Sequence, residues 1–407
     1  MSINTNPQAV EKFFDHKIDQ IYPSVEKFKE LLYSGKRLRF YIGADATGPR
    51  LHIGHLVPML KMKYLQELGH EIIFLVGDFT ARLGDPTDKS ETRTLLSEEE
   101  VKTNATQFQK QVQKYIDFTS EENPASIRFN SEWNNSLNLS DIIKLASNTT
   151  VQQMIERDMF EERLKIKKPI YLHEFLYPLI QGYDSVHMEV DGEFGGRDQT
   201  FNMLMGRNLS KIYKNIEKVV VTTHFLLSSD GISKMSKSIG NCIFIDDTPE
   251  DKFAKVMSIP DSLIGHYYEL ATDRTVEEIR EIEQEIKKGN NPMEIKKQLA
   301  NEIVTFHDGE DSAHKALSFF EKTVQNNELP ENAKTISKSI FPRSTVTLKD
   351  LLSETGLVAS NADGKRLIKA GAIEINGQVI NDYMKEFPVS GLESIRVGKK
   401  QWLKFID

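Results

Sequence analysis

Residues 37–78 read RLRFYIGADATGPRLHIGHLVPMLKMKYLQELGHEIIFLVGD. RLRFYIGADA (37–46) alternates large apolar and polar residues and then breaks at glycine, the pattern of a strand running into a loop. In GHLVPMLKMKYLQEL (54–68), Leu56, Met59, Leu60, Met62, Tyr64 and Leu65 recur near helical spacing until Gly69 stops the run. Pro58 falls in the first turn or so, where a missing N–H is tolerated. HEIIFLVGD (70–78) is a continuous apolar run, as in a strand buried on both faces of a parallel sheet. Strand, helix and strand in this order make a βαβ unit with a right-handed crossover. The expected fold class is therefore α/β, with a Rossmann-like parallel sheet. Its ligands bind at strand C-termini, where loops 43–52 and 77–89 open.

Outward from this unit, 140–185 is largely helical and VVVTTHFLL (219–227) is a later strand of the same sheet. From about 245 the pattern changes: DTPEDKFAKVMS, TVEEIREIEQEIKKG and PMEIKKQLANEIVTFH read as successive amphipathic helices with capping residues in front. QNNELPENAKTISKSIFPRST (325–345) is polar and proline-punctuated, so a linker is expected over 331–345. In the tail, VTLKDLL and DGKRLIKAGA read as helices, and AIEINGQVI as a hairpin turning at Asn376-Gly377. The expected divisions are 1–244 (with a connective insertion at about 130–165), 245–330, a linker, and a small α+β tail at 346–407.

The 407 residues are 39% hydrophobic and 28% charged, an ordinary globular balance with ample core. MSINTNPQAVEKFFDHK is polar and starts no run of membrane length, so the expected compartment is the cytoplasm, with no membrane partner. The single Cys242 excludes internal disulfides and a cysteine-based zinc cage. A net charge of −8 does not advertise a nucleic-acid binder, yet the tail from 346 carries nine Lys/Arg against eight Asp/Glu and differs electrically from the rest.

LHIGH (51–55) admits three readings: a zinc pair, a surface coincidence, or a phosphate grip. Helical zinc pairs are usually four apart and need a third ligand; no HExxH is present, and no protein-bound metal is expected. GADATGPR followed by a helix N-terminus offers free N–H groups to an anion, and glycines 43, 48 and 54 permit turns and close approach. Far away, DGISKMSKSIGN (230–241) carries Lys234 and Lys237 in a stretch too polar for core. Alone it reads as a solvated loop; near a triphosphate, its lysines would stabilise a leaving pyrophosphate.

HIGH (52–55) and KMSKS (234–238), about 180 residues apart, together resemble the paired signatures of class I aminoacyl-tRNA synthetases. YIGADATGPRLHIGH, VGDFTARLGDPTDKSETR (76–93) and YPLIQGYDSVHMEVDGEFGGRDQTFNMLMGR (177–207) resemble the bacterial tyrosyl-tRNA synthetases in particular, and the likeness covers essentially the whole chain. The resemblance implies a catalytic domain, an α-helical anticodon-binding domain at 245–330 and a C-terminal RNA-binding domain like those of ribosomal proteins. It implies that His52 and His55, with Gly43 and Gly54, meet ATP phosphates, and that Lys234, Lys237 and Ser238 hold pyrophosphate. Asp45 and Thr47 would flank the reacting phosphate, Thr47 as a donor to the γ-phosphate. Tyr177 and Gln181 with Asp85 would hold the α-amino group of tyrosine, and Tyr41 and Asp184 its phenolic hydroxyl. Asp198 would take the ribose and Gln199 the carboxylate side of the adenylate.

Read by spacing alone, Tyr177, Gln181 and Asp184 fall at i, i+4 and i+7, one polar stripe on an apolar helix and so a pocket wall. Two departures from the family pattern stand out: Asp45-Ala46-Thr47-Gly48 replaces Asp-Pro-Thr-Ala, and Arg197 stands where a small residue is common. Arg197 is open to pairing with Glu193 or to reaching ATP or the tRNA end. The implied reaction is attack of the tyrosine carboxylate on the ATP α-phosphate, with Mg²⁺ carried by ATP, then transfer to tRNA(Tyr) without a covalent enzyme intermediate. In the tail, Lys365, Arg366 and Lys369 lie outward before the hairpin, a basic face for RNA phosphate. MIERDMFEERLKIKKP (154–169), with five Lys/Arg, is open to an acceptor stem or a subunit interface; the family likeness implies a homodimer through 130–165.

Overall fold

The computed structural model describes residues 2–407 apart from 86–95, 229, 236–241, 327, 330–332, 359 and 399–400. The opening βαβ unit forms as its pattern requires. After β1 (Ile18–Tyr22) come β2 (Arg39–Asp45), a 3-10 turn at Ile53–His55, the helix Leu56–Glu67 and β3 (Glu71–Gly77). β4 (Ser126–Phe129), β5 (Gly192–Gly196) and β6 (Val219–Thr223) complete a six-stranded sheet in the order β1-β6-β5-β2-β3-β4. β2 through β6 pair in parallel, and β1 closes one edge antiparallel to β6. The later strand is shorter than 219–227: it ends at Thr223, and Leu227 then pairs with Lys234 across an isolated bridge.

The order reverses between β2 and β5. From β2 the chain steps outward to β3 and β4; from β5 it steps the other way to β6. The crevice beyond the C-terminal ends of β2 and β5 is thus the switch point at which doubly wound sheets bind ligands. Beneath it, Phe13, Phe28, Phe40 and Phe194 meet edge to face with ring centroids 5.4–6.5 Å apart. Such pairs contribute about 0.5–1.5 kcal/mol each beyond their buried area and stiffen the floor of the crevice. Two helices, Leu172–Met188 and Thr200–Lys214, pack together over the sheet.

The chain divides into two compact units, residues 1–307 and 308–407. The three helices read beyond residue 245 form as Pro249–Met257, Val276–Lys287 and Pro292–Asp308; Ile264–Ala271, not read from sequence, lies between the first two, and all four fall almost wholly in the first unit. The second unit starts with the helix Glu310–Phe320 and holds a five-stranded sheet of order β10-β9-β12-β13-β7. Its strands are β7 (Lys334–Ser337), β9 (Ile373–Ile375), β10 (Gln378–Val379), β12 (Ser394–Val397) and β13 (Gln401–Ile406); β8 (Thr345–Thr347) and β11 (Glu386–Pro388) form a separate pair.

The stretch expected to be a linker, 331–345, is therefore corrected: Lys334–Ser337 pairs in parallel with Leu403–Ile406. Its polar side chains hid the fact that a sheet edge needs only one inward face, here that of Ile336, packed on the tail's core. VTLKDLL also divides: Val346 and Thr347 are strand, and Thr347 caps the helix Leu348–Glu354 by accepting from Asp350 N. The hairpin at Asn376-Gly377 stands as read, with φ of 50° and 78°, the left-handed pair its turn demands. Among the described residues, no helix is long and apolar enough to cross a membrane.

Candidate active site

A cavity of about 420 Å³ opens at the switch point. Tyr41, Gly43, Asp45, Thr47, His52, Gly54, His55, Asp85, Tyr177, Gln181, Asp184, Asp198, Gln199 and Lys234 all line it. Lys237 and Ser238 lie outside the described residues, as do 86–93 of the stretch 76–93. β2 supplies Tyr41, Gly43 and Asp45 from its C-terminal half, and β5 delivers Asp198 and Gln199 in the turn that follows it. The helix Leu172–Met188 turns Tyr177, Gln181 and Asp184 toward the cavity from one face, as their spacing requires.

The histidines sit where strand passes into helix. His52 is extended (φ −107°, ψ 163°) and His55 closes the 3-10 turn. The His52 amide and carbonyl each lie 3.2 Å from His55 Nδ1, and the two rings are tilted by 46° with centroids 3.8 Å apart. Gly43 and Gly54 keep negative φ, so they are not turn glycines. At Gly54 the reason is space: a Cβ would stand 3.0 Å from His52 Nδ1.

The two signatures are joined by backbone. Ile53 N donates to Ile243 O and Ile245 N to Leu51 O, both at 2.9 Å, so the histidine strand pairs with the exit of the lysine loop. At the entrance, Met235 N donates to Leu226 O at 2.8 Å. Arg50 stacks on Phe244 at 4.0 Å and pairs with Asp246 and Asp247, which fixes the exit segment. Lys234 reaches Asp198 Oδ2 at 2.5 Å, so the first loop lysine lies against the carboxylate expected to take ribose.

At the opposite end the cavity is lined by acceptors with defined partners. Asp184 is buried; its Oδ1 accepts from Trp133 Nε1 (2.7 Å) and Asn134 Nδ2 (2.9 Å), and its Oδ2 from Asn130 Nδ2 (3.1 Å). Burial pushes its carboxyl up to about 7 against the pull of those three donors. Asp45 accepts from Thr80 Oγ1 (2.6 Å) and Tyr177 Oη (3.0 Å). That closeness dictates Gly77, directly across the ladder from Asp45, where a Cβ would fall 2.2 Å from Asp45 Oδ1. Asp85 accepts from Gln199 Nε2 (2.6 Å) and Arg157 Nη2 (3.3 Å). Burial first, then Asp45 and Asp85, push the Tyr177 phenol well above its ordinary range, so it stays a neutral donor.

A family model described as tRNA synthetases class I (W and Y) matches residues 33–325. Over 384 residues the chain is 43% identical to the tyrosine–tRNA ligase of Geobacter metallireducens, covering 94% of each protein. It is 44% identical to that of Carboxydothermus hydrogenoformans over 388 residues, 94% of this chain and 93% of the relative. The chain belongs to the tyrosine–tRNA ligases of class I. Among solved structures it resembles a C-terminally truncated mitochondrial tyrosyl-tRNA synthetase of Aspergillus nidulans, with TM-score 0.62, 21% identity, and coverage of 76% of this chain and 92% of that one. The tyrosyl-tRNA synthetase of Archaeoglobus fulgidus complexed with L-tyrosine gives 0.60 at 23% identity, over 76% and 99%. At such identities the likeness is one of fold.

For this ligase the structure also corrects the reading of individual charges. Glu193 does not pair with Arg197: it is buried against Lys218, whereas Arg197 is exposed and comes only within 3.9 Å of Asp19. Two of the five cations in 154–169 are inward, Arg157 on Asp85 and Arg163 on Glu174, so that segment is less of a basic face than its composition suggests. Missed from sequence were Asn130, Trp133 and Asn134, the donors to Asp184. Their i, i+3, i+4 spacing at Ser131–Asn134 was the available signal, one helical face of N–H groups.

Proposed function

We propose that the cavity activates L-tyrosine with ATP and passes the tyrosyl group to tRNA(Tyr), with the residues lining it in the roles their chemistry suits. Asp184 accepts the phenolic O–H, and Asp85 and Gln181 meet the ammonium with Tyr177. Thr47 and the His55 imidazole donate to phosphate oxygens, most strongly as charge builds on them in the transition state. Asp198 binds the ribose once Lys234 has moved to the pyrophosphate. ATP enters as its magnesium complex, the ion held by phosphate and water. The carboxylate of tyrosine attacks the α-phosphorus, pyrophosphate leaves, and the terminal ribose hydroxyl of the tRNA then displaces AMP from the adenylate. The reaction is placed in the cytoplasm.

The observation that carries this reading is the buried acceptor Asp184 at one end of a cavity whose other end is the two stitched signatures. The test is pyrophosphate exchange into ATP with each of the twenty amino acids. Exchange with tyrosine is expected; exchange with tryptophan and none with tyrosine would refute the assignment.

The homodimer is proposed for the face carrying Leu139, Ile143, Val151, Leu164, Ile166 and Leu172, all large, apolar and exposed. Sedimentation should give a dimer, and Ile143→Glu with Leu172→Glu should shift it to monomer; unchanged association would place the interface elsewhere. In the tail, Lys365, Arg366 and Lys369 are exposed on the helix Asn361–Lys369, with Ile368 buried beneath them, which supports the RNA-binding role. Replacing all three by alanine should weaken tRNA binding and make the log–log salt slope shallower by about one for each phosphate no longer neutralised. An unaltered slope would remove this face from the RNA path.

A further inference from the structure

Behind the tyrosine end of the cavity lies a buried charge that the scheme above does not use. Lys218 immediately precedes β6, has no exposed surface and does not line the cavity. Its ammonium donates to Ser185 Oγ at 2.8 Å and to Glu193 Oε2. Ser185 Oγ in turn lies 3.0 Å from Tyr41 Oη and 3.4 Å from Glu193 Oε2, and Glu193 Oε1 accepts from Gln181 Nε2 at 3.0 Å. Sheet register explains the grouping, since Tyr41 and Val220 both face Glu193 across β5. The chamber is shaped for the cation: a Cβ at Gly206 would stand 2.6 Å from Nζ and 2.7 Å from Ser185 Oγ. Burial lowers the Lys218 pKa from the ordinary lysine value while Glu193 pulls it back.

The cluster holds Tyr41 from behind. An ammonium only donates, so Ser185 Oγ accepts from Lys218; it also donates to Glu193 Oε2 at 3.4 Å. Tyr41 Oη packs on that same oxygen at 3.0 Å, where either hydroxyl can be the donor, so the place of the Tyr41 hydroxyl depends on the serine that Lys218 and Glu193 fix. Opposite stands Asp184, an acceptor already ringed by donors. A phenolic hydroxyl between them pairs with both. A phenyl ring pairs with neither.

We infer that Lys218 is a positioning residue for substrate selectivity: through Ser185 it fixes the Tyr41 hydroxyl where it meets the substrate's phenolic oxygen, and through Glu193 it holds the Gln181 amide. This rests on the tyrosine reading above. Without the ammonium, Ser185 loses its donor and Glu193 its counter-charge, so neither the Tyr41 hydroxyl nor the Gln181 amide keeps a fixed support.

The test begins with tyrosine-dependent pyrophosphate exchange by the unmodified protein; its absence would refute the tyrosine reading itself. Given exchange, Lys218→Met should raise KM for tyrosine about thirtyfold, leave KM for ATP within about twofold, and lower tyrosine-over-phenylalanine discrimination about tenfold. Ser185→Ala removes the contact with Tyr41 while sparing the ion pair, and should lower discrimination by a similar factor. Lys218→Met with Glu193→Gln removes both charges and guards against a variant that simply fails to fold. It should regain much of the tyrosine KM but not the discrimination. Wild-type discrimination in Ser185→Ala and in the double variant would overturn the inference and leave Lys218 a strut. A parallel rise of both KM values in Lys218→Met would do the same.

Discussion

Asp184→Asn is expected to lower kcat/KM for tyrosine about a thousandfold and to leave activity with phenylalanine, measured by pyrophosphate exchange, nearly as it was. The asymmetry follows from the donors. Trp133 and Asn134 both donate to Oδ1, and the indole cannot turn, so the amide oxygen of the variant must sit there. Its NH₂ then replaces Oδ2, facing Asn130 and the cavity, where the phenol needs an acceptor. The clash with Asn130 Nδ2 is common to both substrates, whereas the clash with a hydroxyl arises only for tyrosine. A pH profile adds a second check. Burial sets the Asp184 carboxyl near 7, so below that pH it is mostly protonated and accepts the phenolic proton poorly. kcat/KM for tyrosine should therefore climb as pH rises through about 7 and level off above it, and Asp184→Asn should show no such step. A step that survives the substitution belongs to another group.

Lys234→Ala should reduce the rate of adenylate formation by about a hundredfold or more and leave KM for tyrosine unchanged, since the lysine lies at the nucleotide end of the cavity. Its pairing with Asp198 sharpens the expectation for ATP. With the lysine gone, Asp198 meets ribose without first releasing a partner, so KM for ATP should not rise and a modest fall is expected. Pre-steady-state fluorescence or quenched-flow measurement separates the two effects. Equal losses in tyrosine and ATP affinity, together with a lower Tm, would show that the pair braces the fold instead of exchanging partners.

The parts of the site that were legible in the sequence are those carried by local periodicity or by spelled-out motifs. The strand–helix–strand run placed β2, its following helix and β3, and the i, i+4, i+7 stripe placed Tyr177, Gln181 and Asp184 on one wall. From sequence Gly54 reads as a turn or close-approach glycine, and the structure gives it the second reason only; Gly77, not singled out by sequence, serves the approach of Asp45 and Thr80, a fact of strand register. Lys218 was invisible because a lysine before a strand reads as solvated, and only the three-strand register around Glu193 shows that it points inward. The edge strand Lys334–Ser337 was hidden for the related reason that its partner lies some seventy residues later, about Leu403–Ile406. Pairing at such range leaves no trace in a local window.

The short ladder between Leu51–Ile53 and Ile243–Ile245 bears on how the protein breathes. The amides of Ile53 and Ile245 each depend on the other strand for their acceptor, so neither can exchange with solvent hydrogen unless the same pairing opens. Leu51–Ile53 and Ile243–Ile245 thus belong to one foldon despite their distance along the chain. Under the proposed function, a local opening there would disable the phosphate end of the cavity and spare the wall carried by the helix Leu172–Met188.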